Sequence, residues 1–236
     1  MHFKIDFEGN SEISAYVCLT NTYAIVGRSH CDNLVDFLRE KLEIPIVETT
    51  VGNIRTVGNL IVGNKNGVVC SDLINDQELM HIRNSLPESI RVVRIYDKLN
   101  AIGNNVLCND NVCIVNPEFS NTDVLEDVLG VPVYKTGLGP EKLVGSYGAM
   151  NSRGLLVHPN MNTAEIEEMS RLLRLDAIGS TINKGKAGVG SGVVVNDYVC
   201  FMGRRSTTVE AKVAERVFGL GSAELDEKEV VEDIVV

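Results

Sequence analysis

Apolar and polar positions along the chain follow one pattern that returns about every 45 residues. A short apolar run ends in a polar turn around an asparagine, and a second apolar run follows. A stretch with helical spacing comes next, then a third apolar run. Asn21, Asn64, Asn109, Asn151 and Asn196 mark the turns, at spacings of 43, 45, 42 and 45 residues. Six residues before each stands Gly58, Gly103, Gly145 or Gly190, with Ala15 in the first unit. The residue before that glycine is Val57, Ile102, Val144 or Val189, with Ser14 in the first unit. Two anchors recurring together at even spacing mark an internal repeat.

Each unit predicts the same elements. Two apolar runs about an Asn-centred turn predict a hairpin, because Asn tolerates the turn's backbone angles. Helical spacing follows in 32–42, 75–86, 120–129, 162–173 and 206–218. In 75–86 the apolar face is Leu79, Ile82 and Leu86; in 162–173 it is Ile166, Met169, Leu172 and Leu173. Asp32, Asn75, Ser120, Asn162 and either Ser206 or Thr207 are the expected N-caps. Third strands are expected at 44–49, 90–95, 131–135 and 176–181. One ββαβ unit cannot bury its apolar face alone. Stacking in a solenoid would need polar capping units, yet the first and fifth units are as apolar as the others. The pattern therefore predicts an α/β protein in which five units close into a ring, a five-fold pseudosymmetric, pentein-like β/α propeller. Residues 1–222 form this domain, and 223–236 are a short acidic tail whose EVVEDIVV is expected to help join the ring.

Charge narrows the partners. The net charge of −10 argues against coating free DNA through a broad basic surface. Half of that excess sits in the tail, where six acids and one lysine give −5. No run approaches the ~20 apolar residues that span a bilayer, and MHFKIDFEGN is unlike a secretory signal. A cytoplasmic monomer that does not engage membranes is expected. Cys18, Cys31, Cys70, Cys108, Cys113 and Cys200 include no CxxC pair, and most lie in apolar runs, as expected of buried free thiols. No metal or cofactor is expected.

Catalytic chemistry finds little support. The histidines are His2, His30, His81 and His158. His81 lies within a helical stretch, and His158 before Pro159 suits a packing or capping role. His30 and Cys31 are adjacent and so point apart. GKAGVGSG (185–192) leads into a strand, not a helix, and reads as an enlarged turn at the place of Gly190 instead of a phosphate cradle. The acid pairs Glu167-Glu168 and Asp226-Glu227 read as solvated. With about five strand residues between each glycine and its turn, roughly 16 Å at strand rise, the two features lie at opposite ends of the ring. Near the glycine end stand Arg55, Lys98, Lys142, Lys184 and Lys186, a candidate basic rim. Just inside it are Asn59, Asn104, Ser146, Tyr147 and Ser191. Lys65, Arg28 and Arg153 are expected near the other end.

The segments CLTNTYAIVG (18–27), NDQELMHIRNSLPESIRVVR (75–94), LNAIGNNVLCNDNVCIVNPE (99–118), LVGSYGAMNSRGLLVHP (143–159), GSTINKG (179–185) and VVVNDYVCF (193–201) resemble the translation initiation factor 6 family of archaea and eukaryotes. The resemblance covers 1–222. It implies the five-fold propeller and binding to the large ribosomal subunit, on the face that otherwise meets the small subunit. Binding there blocks subunit joining by occlusion, with no reaction, and in eukaryotes is tied to large-subunit maturation. Partners would be ribosomal proteins beside an RNA loop. Ribosome-facing positions of the family fall on Asn59 and Asn104, and less directly on Tyr147, Val189 and Ser191. Eukaryotic members carry a longer C-terminal extension associated with regulation, whereas the sequence here ends in a short acidic tail, so phosphorylation-type control is not expected. Two rivals remain: a guanidino-modifying enzyme of the deiminase or amidinotransferase kind, which shares the architecture, and a clamp around nucleic acid.

Overall fold

The computed structural model describes residues 2–30 and 33–220. Strand β1 (His2–Ile5) opens the chain, and a 3-10 turn (Ile13–Ala15) leads into β2 (Val17–Leu19), β3 (Ala24–Gly27), α1 (Asn33–Lys41) and β4 (Ile46–Thr49). The second unit is α2 (Val57–Leu60), β5 (Ile61–Gly63), β6 (Gly67–Ser71), α3 (Asp76–Ser85) and β7 (Arg91–Ile95). The third is α4 (Ile102–Asn105), β8 (Val106–Cys108), β9 (Cys113–Val115), α5 (Thr122–Leu129) and β10 (Val133–Lys135). The fourth is α6 (Val144–Tyr147), β11 (Gly148–Met150), β12 (Gly154–Val157), α7 (Thr163–Leu173) and β13 (Asp176–Gly179). The fifth is α8 (Val189–Gly192), β14 (Val193–Val195), β15 (Cys200–Gly203) and α9 (Thr208–Val217).

Among the described residues these strands form five three-stranded sheets. In each, the first strand pairs antiparallel with the second, and a third runs parallel to the second. In the fifth sheet that third strand is β1, in register from His2↔Cys200 to Ile5↔Gly203. The N-terminal strand therefore fills the place beside β15. The segment EVVEDIVV and the tail 223–236 lie outside the described residues.

The apolar core is not at the axis but between neighbouring blades. Tyr23, Ile25 and Val47 of the first blade pack with Ile61, Val68 and Ile82 of the second. Val26 and Leu38 pack with Ile5, Val194 and Phe201 of the fifth. Each blade thus buries its faces only when both neighbours are present, which couples the stability of all five.

The short turns α2, α4, α6 and α8 correct the expectation of a continuous five-residue strand after each glycine. They crowd about the axis. A Cβ on Gly58 would lie 1.9 Å from the Ser14 carbonyl oxygen, one on Gly103 1.9 Å from that of Gly58, one on Gly145 1.9 Å from that of Gly103, and one on Gly190 2.2 Å from that of Gly145. Only glycine permits this approach of backbone to backbone. In the structure Ile13, Val57, Ile102, Val144 and Val189 are equivalent, each with 0% exposure. The first unit is therefore shifted by one from its expected alignment, and Ser14 stands where Gly58 does.

The same shift applies at the other end, where Thr20 takes the place expected of Asn21. The Thr20 N–H donates to the Tyr23 carbonyl as Asn64 N–H does to Gly67. Thr20 Oγ1 accepts from the Tyr23 N–H, as Asn196 Oδ1 does from Val199 N–H. In the other units the asparagine amide also reaches the next blade. Asn64 Nδ2 donates to Asn109 O (3.3 Å), Asn109 to Asn151 O (2.8 Å), Asn151 to Asn196 O (3.3 Å) and Asn196 to Thr20 O (3.0 Å). Threonine has no amide to pass on, and between the first two blades the Tyr23 hydroxyl donates to Gly67 O instead (2.9 Å).

Asn75, Asn162 and Thr207 cap their helices in reciprocal boxes with Glu78, Glu165 and Glu210. The expected cap Ser120 is displaced: Asn121 precedes α5 without a side-chain cap, and Asp97 takes the N–H groups of both Ser120 and Asn121. Asp32 lies outside the described residues. Two of the box glutamates reach further. Glu78 accepts from Thr50 Oγ1, Gly52 N–H and Asn53 N–H, and Glu210 from Thr181 Oγ1, Lys184 N–H and Gly185 N–H. They tie the loops that lead into the second and fifth units to the outer helices. Burial raises the Glu210 carboxyl, but the converging donors outweigh it and hold it down to about 2.

Gly103→Ala is expected to cost about 3 kcal/mol or more or to prevent folding. Gly188→Ala, whose nearest neighbours would be at 3.5 and 3.6 Å, is expected to leave the thermal midpoint unchanged. Similar melts for the two would contradict the crowded axis. Because the folded Glu210 pKa lies below its unfolded value, its contribution is complete above the unfolded pKa and is lost as pH falls from about 4.5 toward about 2. Denaturant titrations of Glu210→Gln are accordingly expected to show a shallower loss of stability across that window than the parent chain.

Candidate functional site

The ring has two faces of different character. At the asparagine face nearly every polar group is used internally. Asn21 Nδ2 donates to both Asp110 Oδ2 (2.7 Å) and Asp197 Oδ2 (2.8 Å), joining the first, third and fifth units across the axis. Lys65 N–H and Ser152 N–H donate to Asp110 and Asp197, and Asp197 N–H to Asn21 Oδ1. Lys65 and Arg153 stand here as expected. Arg28 does not: it follows β3 at the glycine face, its N–H on Thr49 O.

At the glycine face, one position after each axial residue, stand Ala15, Asn59, Asn104, Ser146 and Ser191, equivalent places on the five short turns. All are half-buried. Among the described residues the side chains of Asn59, Asn104, Ser146 and Ser191 form no hydrogen bond, although their backbones are held at N–H···O distances of 3.0–3.2 Å within the turns. A rigid backbone thus presents a circle of uncommitted amides and hydroxyls to solvent. Tyr147, one place further, is half-buried with its ring edge-on to His158, centroids 5.6 Å apart. Val189 is corrected: at 0% exposure it is a core residue, so its side chain cannot face a partner.

The basic rim is largely neutralised. Arg55 Nη1 and Nη2 donate to Glu8 at 2.9 and 3.0 Å, and the Arg55 guanidinium is the main reason the Glu8 carboxyl falls to about 2. Lys142 meets Glu118 and Lys186 meets Glu12, each at 2.5 Å. Among the described residues Lys98 and Lys184 form no ion pair and are exposed. Apolar residues flank the same face: Ile54 (42% exposed) and Leu143 (40%) on lead-in loops, and Val209 (72%) in the first turn of α9. The sequence pattern singled out none of these three, because a lone apolar residue in a loop carries no period.

The axial cavity is small, about 100 Å³, lined by Cys18, Leu19, Val62, Leu107, Cys108, Met150 and Val194 among others, with no histidine. It is far too narrow to pass a nucleic-acid strand. Its thiols are not activated: burial pushes Cys18 up to about 12, and Cys108, beside Cys113, is raised well above the ordinary thiol value. Cys70, Cys113 and Cys200 are buried and free, and Cys31 lies outside the described residues. His2 pairs with Glu215, His81 Nε2 meets Glu48 O, and His158 Nε2 meets Leu138 O; Cys200, the strand partner of His2, has its thiol raised by burial. Among the described residues no group of three or more His, Cys, Asp or Glu side chains is placed to hold a metal, and no helix is long and apolar enough to cross a membrane.

Known proteins are similar to this chain over most of its length. The Eukaryotic translation initiation factor 6 of Encephalitozoon cuniculi (strain GB-M1) is 49% identical over 222 residues, 93% of this chain and 92% of its own. That of Saccharomyces cerevisiae is 38% identical over 228 residues, 95% and 93% of the two chains. That of Trypanosoma cruzi is 38% identical over 224 residues, 93% and 90%. A solved structure, a cysteine-to-serine mutant of DDAH from Pseudomonas aeruginosa complexed with citrulline, aligns over 93% of this chain and 87% of its own with 9% identity and a TM-score of 0.49. The profile of the eIF-6 family matches residues 2–217, and the chain belongs to that family, whose members compared here are named as translation initiation factors.

Proposed function

We propose that the chain binds the large ribosomal subunit through its glycine face and so keeps the small subunit from joining, without a chemical step. The observation that carries this reading is the circle of Asn59, Asn104, Ser146 and Ser191, uncommitted side chains on turns that the axial packing holds rigid. The asparagine face offers no comparable set, because its amides and carboxylates are spent on each other. A docking surface of fixed polar groups loses little side-chain freedom on binding, which favours affinity from a small footprint. Ile54, Leu143 and Val209 add apolar area around it. The occluding element is the bulk of the ring itself.

The neutral circle suits ribosomal proteins, while Lys98 and Lys184 are placed for an adjacent rRNA loop. Lys142 and Lys186 contribute less than their number suggests, since each already faces a carboxylate. The acidic chain fits a local contact with RNA and not a broad one. On this reading the protein works as a monomer in the cytoplasm, in translation and in large-subunit maturation, and it is not an enzyme.

Co-sedimentation with purified subunits is expected to show the chain with the large subunit only, and fewer joined ribosomes as it is added. Binding to both subunits, or to neither, would remove the proposal. The pair Asn59→Arg and Asn104→Arg alters only side chains without internal partners. It is expected to shift stability by less than about 0.5 kcal/mol and to weaken binding at least about tenfold, some 1.4 kcal/mol. Undiminished binding by a folded double variant would place the contact elsewhere.

A further inference from the structure

Behind Asn104 lies a buried polar pair at a place where, among the described residues, no other unit has one. Asn105, the last residue of α4, and Asn116, just past β9, are opposite each other one step beyond the hairpin ladder that ends at Val106↔Val115. They are 3% and 4% exposed. Asn116 Nδ2 donates to Asn105 Oδ1 at 2.7 Å, and Asn105 Nδ2 donates to Ala101 O at 2.9 Å, the residue that begins the α4 turn. Asn116 N–H donates to Asn105 O at 2.8 Å. Asn116 Oδ1 in turn accepts from Glu118 N–H at 3.0 Å, and the Glu118 carboxylate holds Lys142 Nζ at 2.5 Å in the next unit.

The equivalent pairs elsewhere are Tyr16 with Gly27, Leu60 with Ser71, Tyr147 with His158 and Gly192 with Gly203. Among the described residues none of these joins its two side chains by a hydrogen bond. Ser71 and His158 share only the local half of the motif, accepting from the N–H two residues on. An amide pair this deep in the fold is costly if left incomplete, and apolar residues would fill the place at no such risk. Its connections run to two points only: the turn that carries Asn104 and the loop that carries the partner of Lys142.

We propose that Asn105 and Asn116 are positioning residues for docking, holding the Asn104 side chain at its angle to the large subunit and fixing the Glu118 that pairs with Lys142. This rests on the reading that Asn104 faces the subunit. Neither residue touches the partner. Their contribution is to remove freedom from the α4 turn before binding occurs.

The test is a double-mutant cycle of Asn116→Ser with Asn104→Ala, measured as affinity for purified large subunits at a temperature where circular dichroism shows each variant folded. Serine retains the local bond seen at Ser71 but is too short to reach Asn105. Asn116→Ser is expected to weaken binding about tenfold in the presence of Asn104 and less than about twofold once Asn104→Ala is in place. A purely structural role would lower the melting temperature yet leave affinity equal in the two backgrounds, or weaken it equally, and either result overturns the proposal while Asn104→Ala alone still reduces binding. If Asn104→Ala binds as the parent does, the docking reading of Asn104 fails and the positioning role with it. Should Asn116→Ser not fold, Asn105→Ser, which cuts the same bond from the other side, completes the cycle with the same outcomes.

Discussion

Everything in this ring follows from five backbones meeting at one axis. The carbonyls of Ser14, Gly58, Gly103 and Gly145 stand where a Cβ on the next unit would collide. That approach brings the blades near enough for their apolar faces to interlock, and it bends each chain into a helical turn before its first strand. At the far end the asparagine amides repeat the link from blade to blade. One belt is steric and the other is hydrogen-bonded. Between them the interblade cores supply the free energy.

The same constraint separates the two faces chemically. At the asparagine end the links are made by side chains, so those side chains are consumed. At the glycine end they are made by backbone, so the side chains on the turns remain available. Asn59, Asn104, Ser146 and Ser191 keep side chains without internal hydrogen bonds because the glycine next to each does the structural work. The proposed action by occupying space needs such a division, with a frame that does not yield and a surface still able to bond.

Much of this was legible in the sequence. The hairpins and outer helices follow from periodicity, and Asn75 and Asn162 fall where their caps are. Asn59, Asn104, Ser146 and Ser191, read from spacing together with Tyr147, stand at equivalent places on the short turns. The first unit misled because Thr20 performs the turn bond of an asparagine while Asn21 beside it bridges the axis instead. The turns VGNL, IGNN, VGSY and VGSG are too short to show a helical period, and they form because of crowding, which no single unit reveals. The rim read as positive from its lysines and arginines, but Glu8, Glu12 and Glu118 come to it from remote parts of each loop or from another unit. Asn116 gave no signal at all, since its partner is defined only by register.

The pairing of β1 with β15 sets an order of events in synthesis. His2–Ile5 leaves the ribosome first, yet its partner Cys200–Gly203 is made almost two hundred residues later. Until then the nascent chain carries an unclosed arc with one strand waiting, and the contacts that complete it are among the most distant in the sequence. The circle of uncommitted side chains is complete only when the fifth unit has emerged. On the proposed reading, a growing copy of this protein cannot display its finished docking face to the very particle that is making it.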